Sequence, residues 1–285
     1  MSSRTSTSFV PTVVASGFGQ ALRFWRSRRG MSQLRLSVDS GISQRHISFL
    51  ESGRARPSRE MVLKLGLVLD VPLRQRNMML LAAGFAPLYR ERELSDPELR
   101  PVRQALDLML AQHEPYPAVV VDRLWNLALA NGGATRLIHW LLGPAQARAA
   151  QIRSSPNLAL AMLHPEGLRR HVENWRQVAA DMLHWVHREA LAEGGGGPAQ
   201  ALLDELLALD GIPSDWRDPD LESRATPFLA IRLIKGGVVL NLFTTITTLG
   251  TPHDVTLHEL RVECFYPTDE PTAHWFARPA DAVAP

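Results

Sequence analysis

A chain of 285 residues, 45% of them hydrophobic, is long enough for two domains of ordinary size with real cores. Its one cysteine, Cys264, excludes an internal disulfide framework and a cysteine-rich zinc site, and no apolar run approaches a membrane span, so the chain reads as cytoplasmic. The net charge of +2 conceals an asymmetry: residues 1–90 hold 14 Lys/Arg against 4 Asp/Glu, and residues 91–285 hold 17 against 25. A basic head of this kind suits a polyanion such as DNA. Residues 1–17, rich in Ser and Thr with no apolar core of a secretory signal, are expected to be a disordered leader.

A first helix is expected over 18–29, with Phe18, Leu22 and Trp25 as its buried stripe and Gly30 at its end. Ser32 then caps a short helix, Gly41 supplies the positive φ of a tight turn, and Ser43 caps a second helix to about Ser52. Ile47 and Leu50 share one face of that helix, while Gln44, Arg45, Ser48 and, less squarely, Phe49 share the other. Arg can bond guanine bidentately and Gln can do the same with adenine, and the N-terminal residues of a recognition helix reach base edges. Gln33, Arg54, Arg56 and Arg59 are placed for phosphates, which fix register without reading sequence. Two more helices, 59–70 and 73–83, complete a five-helix domain over 18–86.

The residues Ser32-Gln33, Leu36-Ser37, Ser40-Gly41-Ile42-Ser43, Ile47-Ser48, Leu50-Glu51, Gly53-Arg54 and Pro57-Ser58 resemble the helix-turn-helix of the phage repressor/Cro-like (XRE) regulators. The resemblance implies that Gln33 lies near a phosphate and Gln44 and Arg45 near bases, with Ser43 beside them. It also implies that Arg26 pairs with Glu51 to tie the first and third helices together. Ser37 stands where the family usually has Ala, and Leu34 and Val38 put apolar side chains on a face usually polar.

Beyond a linker over 87–98, Ser95-Asp96-Pro97-Glu98 opens a helix expected to run to Gln112. The period then changes. Strands are expected at 118–122 and 125–130, and Asn131 caps a helix to Leu142. A short helix at 157–163, one long helix from Gly167 to Ala192 and another over 198–209 follow, the last two separated by the four glycines 194–197. A hairpin of 228–234 and 238–249 and a last strand over 257–266 close an α+β domain. Its antiparallel sheet has about five strands with flanking helices, compatible with a PAS-like fold, over 99–276 with a tail at 277–285.

The motifs His113-Glu114-Pro115-Tyr116-Pro117-Ala118, Asp122-Arg123-Leu124-Trp125-Asn126, His164-Pro165-Glu166-Gly167 and the run Gly250–Leu260 resemble, in this order, the MmyB-like ligand-binding domain of bacterial regulators. The resemblance implies a PAS-like pocket for a fatty-acyl or similar small ligand. Trp125, Trp175, Met182, Trp185 and Phe243 are the residues expected to line it, although a 3–4 stripe on the long helix more often reads as core than as a ligand lining.

Catalysis finds little support. There is no GxSxG elbow and no GK[ST] context for the glycines at 194–197. His184 and His187 share a helix face without an HExxH pairing, and no metal site is expected. No cofactor is expected. The chain therefore reads as a one-component transcription regulator. It is expected to bind a pseudo-palindromic DNA operator as a homodimer and to sense a small apolar ligand. The alternatives are a constitutive repressor whose body only dimerises, or an enzyme carrying a DNA-binding appendage.

Overall fold

The computed structural model describes residues 17–143, 156–194, 196–218, 230–250 and 252–278. Nearly all of the leader expected over 1–17 and of the tail over 277–285 lies outside these, as does the start of the strand expected from Phe228. Two compact units are present. One takes in the chain through Glu91 with 190–197 and 252–258, and the other takes in the rest.

The first unit holds α1 (Phe18–Arg28), α2 (Gln33–Ser40), α3 (Gln44–Glu51), α4 (Arg59–Val68) and α5 (Leu73–Ala82). Three of these helices start on serine. The hydroxyls of Ser32, Ser43 and Ser58 accept from the backbone N–H of Arg35, His46 and Met61, which satisfies a donor that a helix start would otherwise leave orphaned. Gly41, at φ 65°, ends α2 in the left-handed region. Buried Ser40 hydrogen-bonds the carbonyl of Leu36 at 2.6 Å, and its oxygen accepts from Ile42 N–H across the turn. Leu22, Leu36, Ile47, Leu50, Leu65 and Met79 are fully buried and form one core. Gly19 permits the closest approach: a Cβ there would lie 2.5 Å from the carbonyl oxygen of Leu50, so α1 meets α3 backbone to backbone.

The second unit opens with a 3₁₀ turn, Pro97–Leu99, before α6 (Arg100–Gln112), where a single helix was expected. Its sheet comprises β1 (Ala118–Val121), β2 (Leu127–Ala130), β3 (Ala230–Lys235), β4 (Val238–Thr248) and β5 (Arg261–Pro267). The order is β2-β1-β5-β4-β3 and every pairing is antiparallel. This is the expected PAS-like α+β architecture. Along the chain, α7 (Gly132–Leu142), α8 (Leu158–Leu163), α9 (Trp175–Ala192) and α10 (Pro198–Leu207) fall between β2 and β3; α11 (Val255–Glu259), which is counted with the first unit except for Glu259, precedes β5, and α12 (Glu270–Ala277) follows it.

Four expectations are corrected. The second strand begins at Leu127, not Trp125, because both carboxylate oxygens of Asp122 are used in a turn. They accept from the backbone of Leu124 and Asn126 and from the Asn126 amide, and Trp125 takes φ 64° within that turn. The long helix is broken into a 3₁₀ turn (Leu168–His171) and α9. Between them the chain pairs with β3: Val172 bridges Leu233, and the Asn174 side chain bonds the backbone of Ala230 and Arg232. The last strand is preceded by α11, whose first turn takes a hydrogen bond from Thr256 N–H to the Asp254 carboxylate. Finally, α12 was not expected at all; Asp269 caps it by accepting from Thr272 N–H at 2.8 Å.

Candidate nucleic-acid interface and ligand cavity

The outer face of α3 is built by default. Burial of Ile47 and Leu50 fixes the rotation of the helix, which leaves Ser43, Gln44 and Arg45 exposed at its N-terminus and Ser48 and Phe49 half-buried one turn later. The Arg45 guanidinium lies 5.3 Å from the centre of the Phe49 ring, so the aromatic ring supports the cation. Arg54, Arg56 and Arg59 are exposed in the turn after α3 and at the start of α4.

Beneath this face, Arg26 of α1 donates to Glu51 of α3 through Nε at 2.6 Å and Nη2 at 3.0 Å, and its Nη1 bonds the carbonyl of Met31 at 2.7 Å. The two side chains are 13% and 6% exposed. Gln33 adds a third hydrogen bond to Glu51 at 2.9 Å. That bond uses one amide hydrogen of Gln33 and holds the side chain in place, leaving the second hydrogen to donate outward. Burial acts to raise the Glu51 carboxyl, but the bonds from Arg26 and Gln33 outweigh it and hold it below the ordinary value. Leu34 and Val38 are 58% and 70% exposed on α2, the departure noted in the sequence.

In the second unit a cavity of about 180 Å³ lies between the sheet and helices α7 and α8. Val119 and Leu127 from one edge of the sheet, Leu242 and Phe265 from its middle, and Leu137 and Met162 from the helices are among its walls. The few polar walls are largely committed. Thr135 donates to the carbonyl of Asn131, and Asn157 donates to the Leu124 carbonyl and accepts from Leu160 N–H.

None of the five residues expected to line the pocket belongs to this wall. Trp125 sits in the β1–β2 turn. Phe243 is on the opposite face of β4, stacked on Tyr266 at 5.2 Å. Trp175 lies under the Arg169 guanidinium, Trp185 between those of Arg188 and Arg261, and Met182 is buried in α9. The expectation favoured aromatic side chains, whereas the cavity is walled mostly by aliphatic ones drawn from several elements. His184 and His187 both pack edge-on to Trp216, at 5.3 and 5.5 Å, and among the described residues no group of three His, Cys, Asp or Glu is disposed to hold a metal.

Residues 22–75 match the family model of helix-turn-helix domains. Residues 102–278 match that of the MmyB-like transcription regulator ligand binding domain. No curated protein matches the chain. With a helix-turn-helix that presents Gln44 and Arg45, and a matched region covering more than half the sequence, the chain belongs to the DNA-binding transcription regulators with an MmyB-like ligand-binding domain.

Proposed function

We propose that the protein is a cytoplasmic, homodimeric one-component regulator, without enzymatic activity, that reads a pseudo-palindromic operator and answers to a small apolar or fatty-acyl ligand. The observation that carries the DNA reading is an exposed amide and guanidinium, Gln44 and Arg45, on the first turn of a helix whose other face is fully buried. In this reading Gln44 and Arg45 contact bases, with Ser43, Ser48 and Phe49 beside them. Gln33, Arg54, Arg56 and Arg59 hold phosphates. One recognition helix reaches few bases, so two copies bind half-sites about one helical turn apart. The apolar cavity supports a sensing role for the second unit over dimerisation alone. Regulation then follows if the ligand binds two arrangements of the dimer with different affinity.

The test is binding to an operator selected from random DNA, followed by fluorescence anisotropy. Arg45→Ala is expected to cost about 1–3 kcal/mol at the operator and to relax one base position, with little change on random DNA. Arg54→Ala is expected to weaken all sequences alike and to flatten the salt slope by about one. If Arg45→Ala lost as much on random DNA, its base-reading role would be refuted. Native mass spectrometry of the purified protein tests the second unit: a discrete added mass that denaturation releases supports the sensor reading. A clean dimer whose operator affinity is unmoved by acyl chains supports a constitutive repressor instead.

A further inference from the structure

The side chains of α7 that line the cavity differ in their access to water. Ala134, Leu137 and Leu141 are buried, Thr135, Ile138 and Leu142 are half-buried, and His139 is exposed. His139 lies four residues after Thr135 and three before Leu142, so the three stack along one side of the helix. The cavity therefore meets solvent along that side. Of all its lining residues only Ala130 and His139 are exposed, and His139 alone of these two has a polar side chain. It is also the one lining residue with a hydrogen-bond donor to spare. The Thr135 hydroxyl donates to the Asn131 carbonyl. Asn157 spends its amide on the Leu124 carbonyl and on Asn126 Oδ1, and its own oxygen accepts from Leu160 N–H. The His139 ring has no partner among the described residues, and an imidazole carries an N–H donor whether neutral or charged. None of the described lining residues is acidic.

We infer that His139 is the specificity-determining residue at the mouth of the cavity, donating to the head of a short-chain monocarboxylate whose tail lies between the sheet and α7 and α8. The inference rests on the reading of this unit as a ligand-binding domain, and it adds the chemistry of the head and its orientation. The interior offers no free donor, so the apolar end goes in first and the polar end stays out. At the exposed rim an ionised carboxylate keeps part of its hydration, which it would forfeit at heavy cost inside. An ammonium head finds no carboxylate among the lining residues to pair with. An apolar cavity of roughly 150 Å³ is known to hold a molecule the size of benzene, so a short chain suits the observed volume.

The experiment measures affinities of the full-length protein for hexanoate, 1-hexanol and hexylammonium by calorimetry. The proteins are the wild type, His139→Leu and His139→Gln, and both substitutions fall at an exposed position. The wild type is expected to prefer hexanoate to hexylammonium. His139→Leu, apolar and of similar bulk, should lose about three- to fivefold for hexanoate, a modest figure because the contact is open to water. The same variant should hold hexanol within about 1.5-fold, since the tail's surroundings are intact. His139→Gln keeps an N–H donor and should recover most of the hexanoate affinity. Nuclear Overhauser contacts give a check that needs no variant: the C2 protons of hexanoate should lie by the His139 ring and its methyl by Leu242. Unchanged hexanoate affinity in His139→Leu, or an equal loss for hexanol, overturns the head contact while leaving the ligand domain standing. Preference for hexylammonium, or a methyl found at the His139 ring, overturns it too. If none of the three binds the wild type, both the contact and the ligand-domain reading fall.

Discussion

Glu51→Ala is expected to destabilise the helix-turn-helix unit by about 3 kcal/mol or more, the range for removing one partner of a buried ion pair. The loss is large because Glu51 is the acceptor for three donors, Arg26 Nε, Arg26 Nη2 and Gln33 Nε2, at 2.6, 3.0 and 2.9 Å. Its removal leaves a guanidinium, 13% exposed, with only the Met31 carbonyl as a hydrogen-bond partner. Glu51→Gln keeps one acceptor oxygen but loses the charge, and should fall between wild type and alanine. The contribution also depends on pH. The folded carboxyl sits below its ordinary value of 4.5, so the unfolded chain takes up the proton first. The stability that Glu51 supplies is therefore fully present above the ordinary carboxylate range and is lost as pH falls through the lower, folded value. Hydrogen exchange of α1 and α3 amides in the full-length protein is the measurement. The mutant should exchange faster at neutral pH, and the gap should close in acid. Equal protection at neutral pH would show that the pair contributes nothing.

The first unit was legible because its signals are local. Ser32, Ser43 and Ser58 cap helices through backbone N–H groups three residues on, and Gly41 turns the chain within its own neighbourhood. Each can be read in a short window. The second unit hides its decisions in long-range contacts. The break before α9 is set by Asn174 bonding β3, 56 residues away at Ala230. The pattern of Leu168, Val172 and Trp175 is helical, and only the strand's edge overrides it. The cavity was misjudged for a related reason. Its walls come from several elements that each contribute a few aliphatic residues, so no one segment carries a signature. The tryptophans, conspicuous in the sequence, are used instead as shelves for arginines or, in Trp125, as part of a turn.

Asn131→Ala is expected to cost about 3 kcal/mol, and its consequences extend from the fold to the ligand site. As a helix cap Asn131 accepts from Ala134 N–H at 2.9 Å. The same oxygen accepts from Ala118 N–H in β1 at 3.0 Å, and the amide nitrogen donates to the carbonyl of Tyr116 at 2.8 Å and that of Leu110 at 3.3 Å. One side chain, 6% exposed, thus joins the end of α6, the start of β1 and the first turn of α7. Truncation leaves two buried N–H groups without this acceptor and two carbonyls without this donor, and each such group costs about 1–3 kcal/mol when nothing replaces its partner. Ser and Asp separate the roles, since both are good caps. If Asn131 served only the helix, Asn131→Ser and Asn131→Asp would be nearly silent. The observed bonds predict otherwise. Serine is too short to serve both Ala118 and Ala134 while also donating to Tyr116, and aspartate would set an oxygen where the amide now donates to the Tyr116 carbonyl. Both should remain about 2 kcal/mol below wild type in urea unfolding, a value bounded by the loss of one or two buried hydrogen bonds. Exchange at the amides of Ala118 and Ala134 reports which bond is lost. Because β1 supplies Val119 and α7 supplies Leu137 to the cavity, the same variants should weaken ligand binding while leaving protection of α1–α5 unchanged. Faster exchange in α1–α5 would show instead that Asn131 supports more than the frame of the cavity.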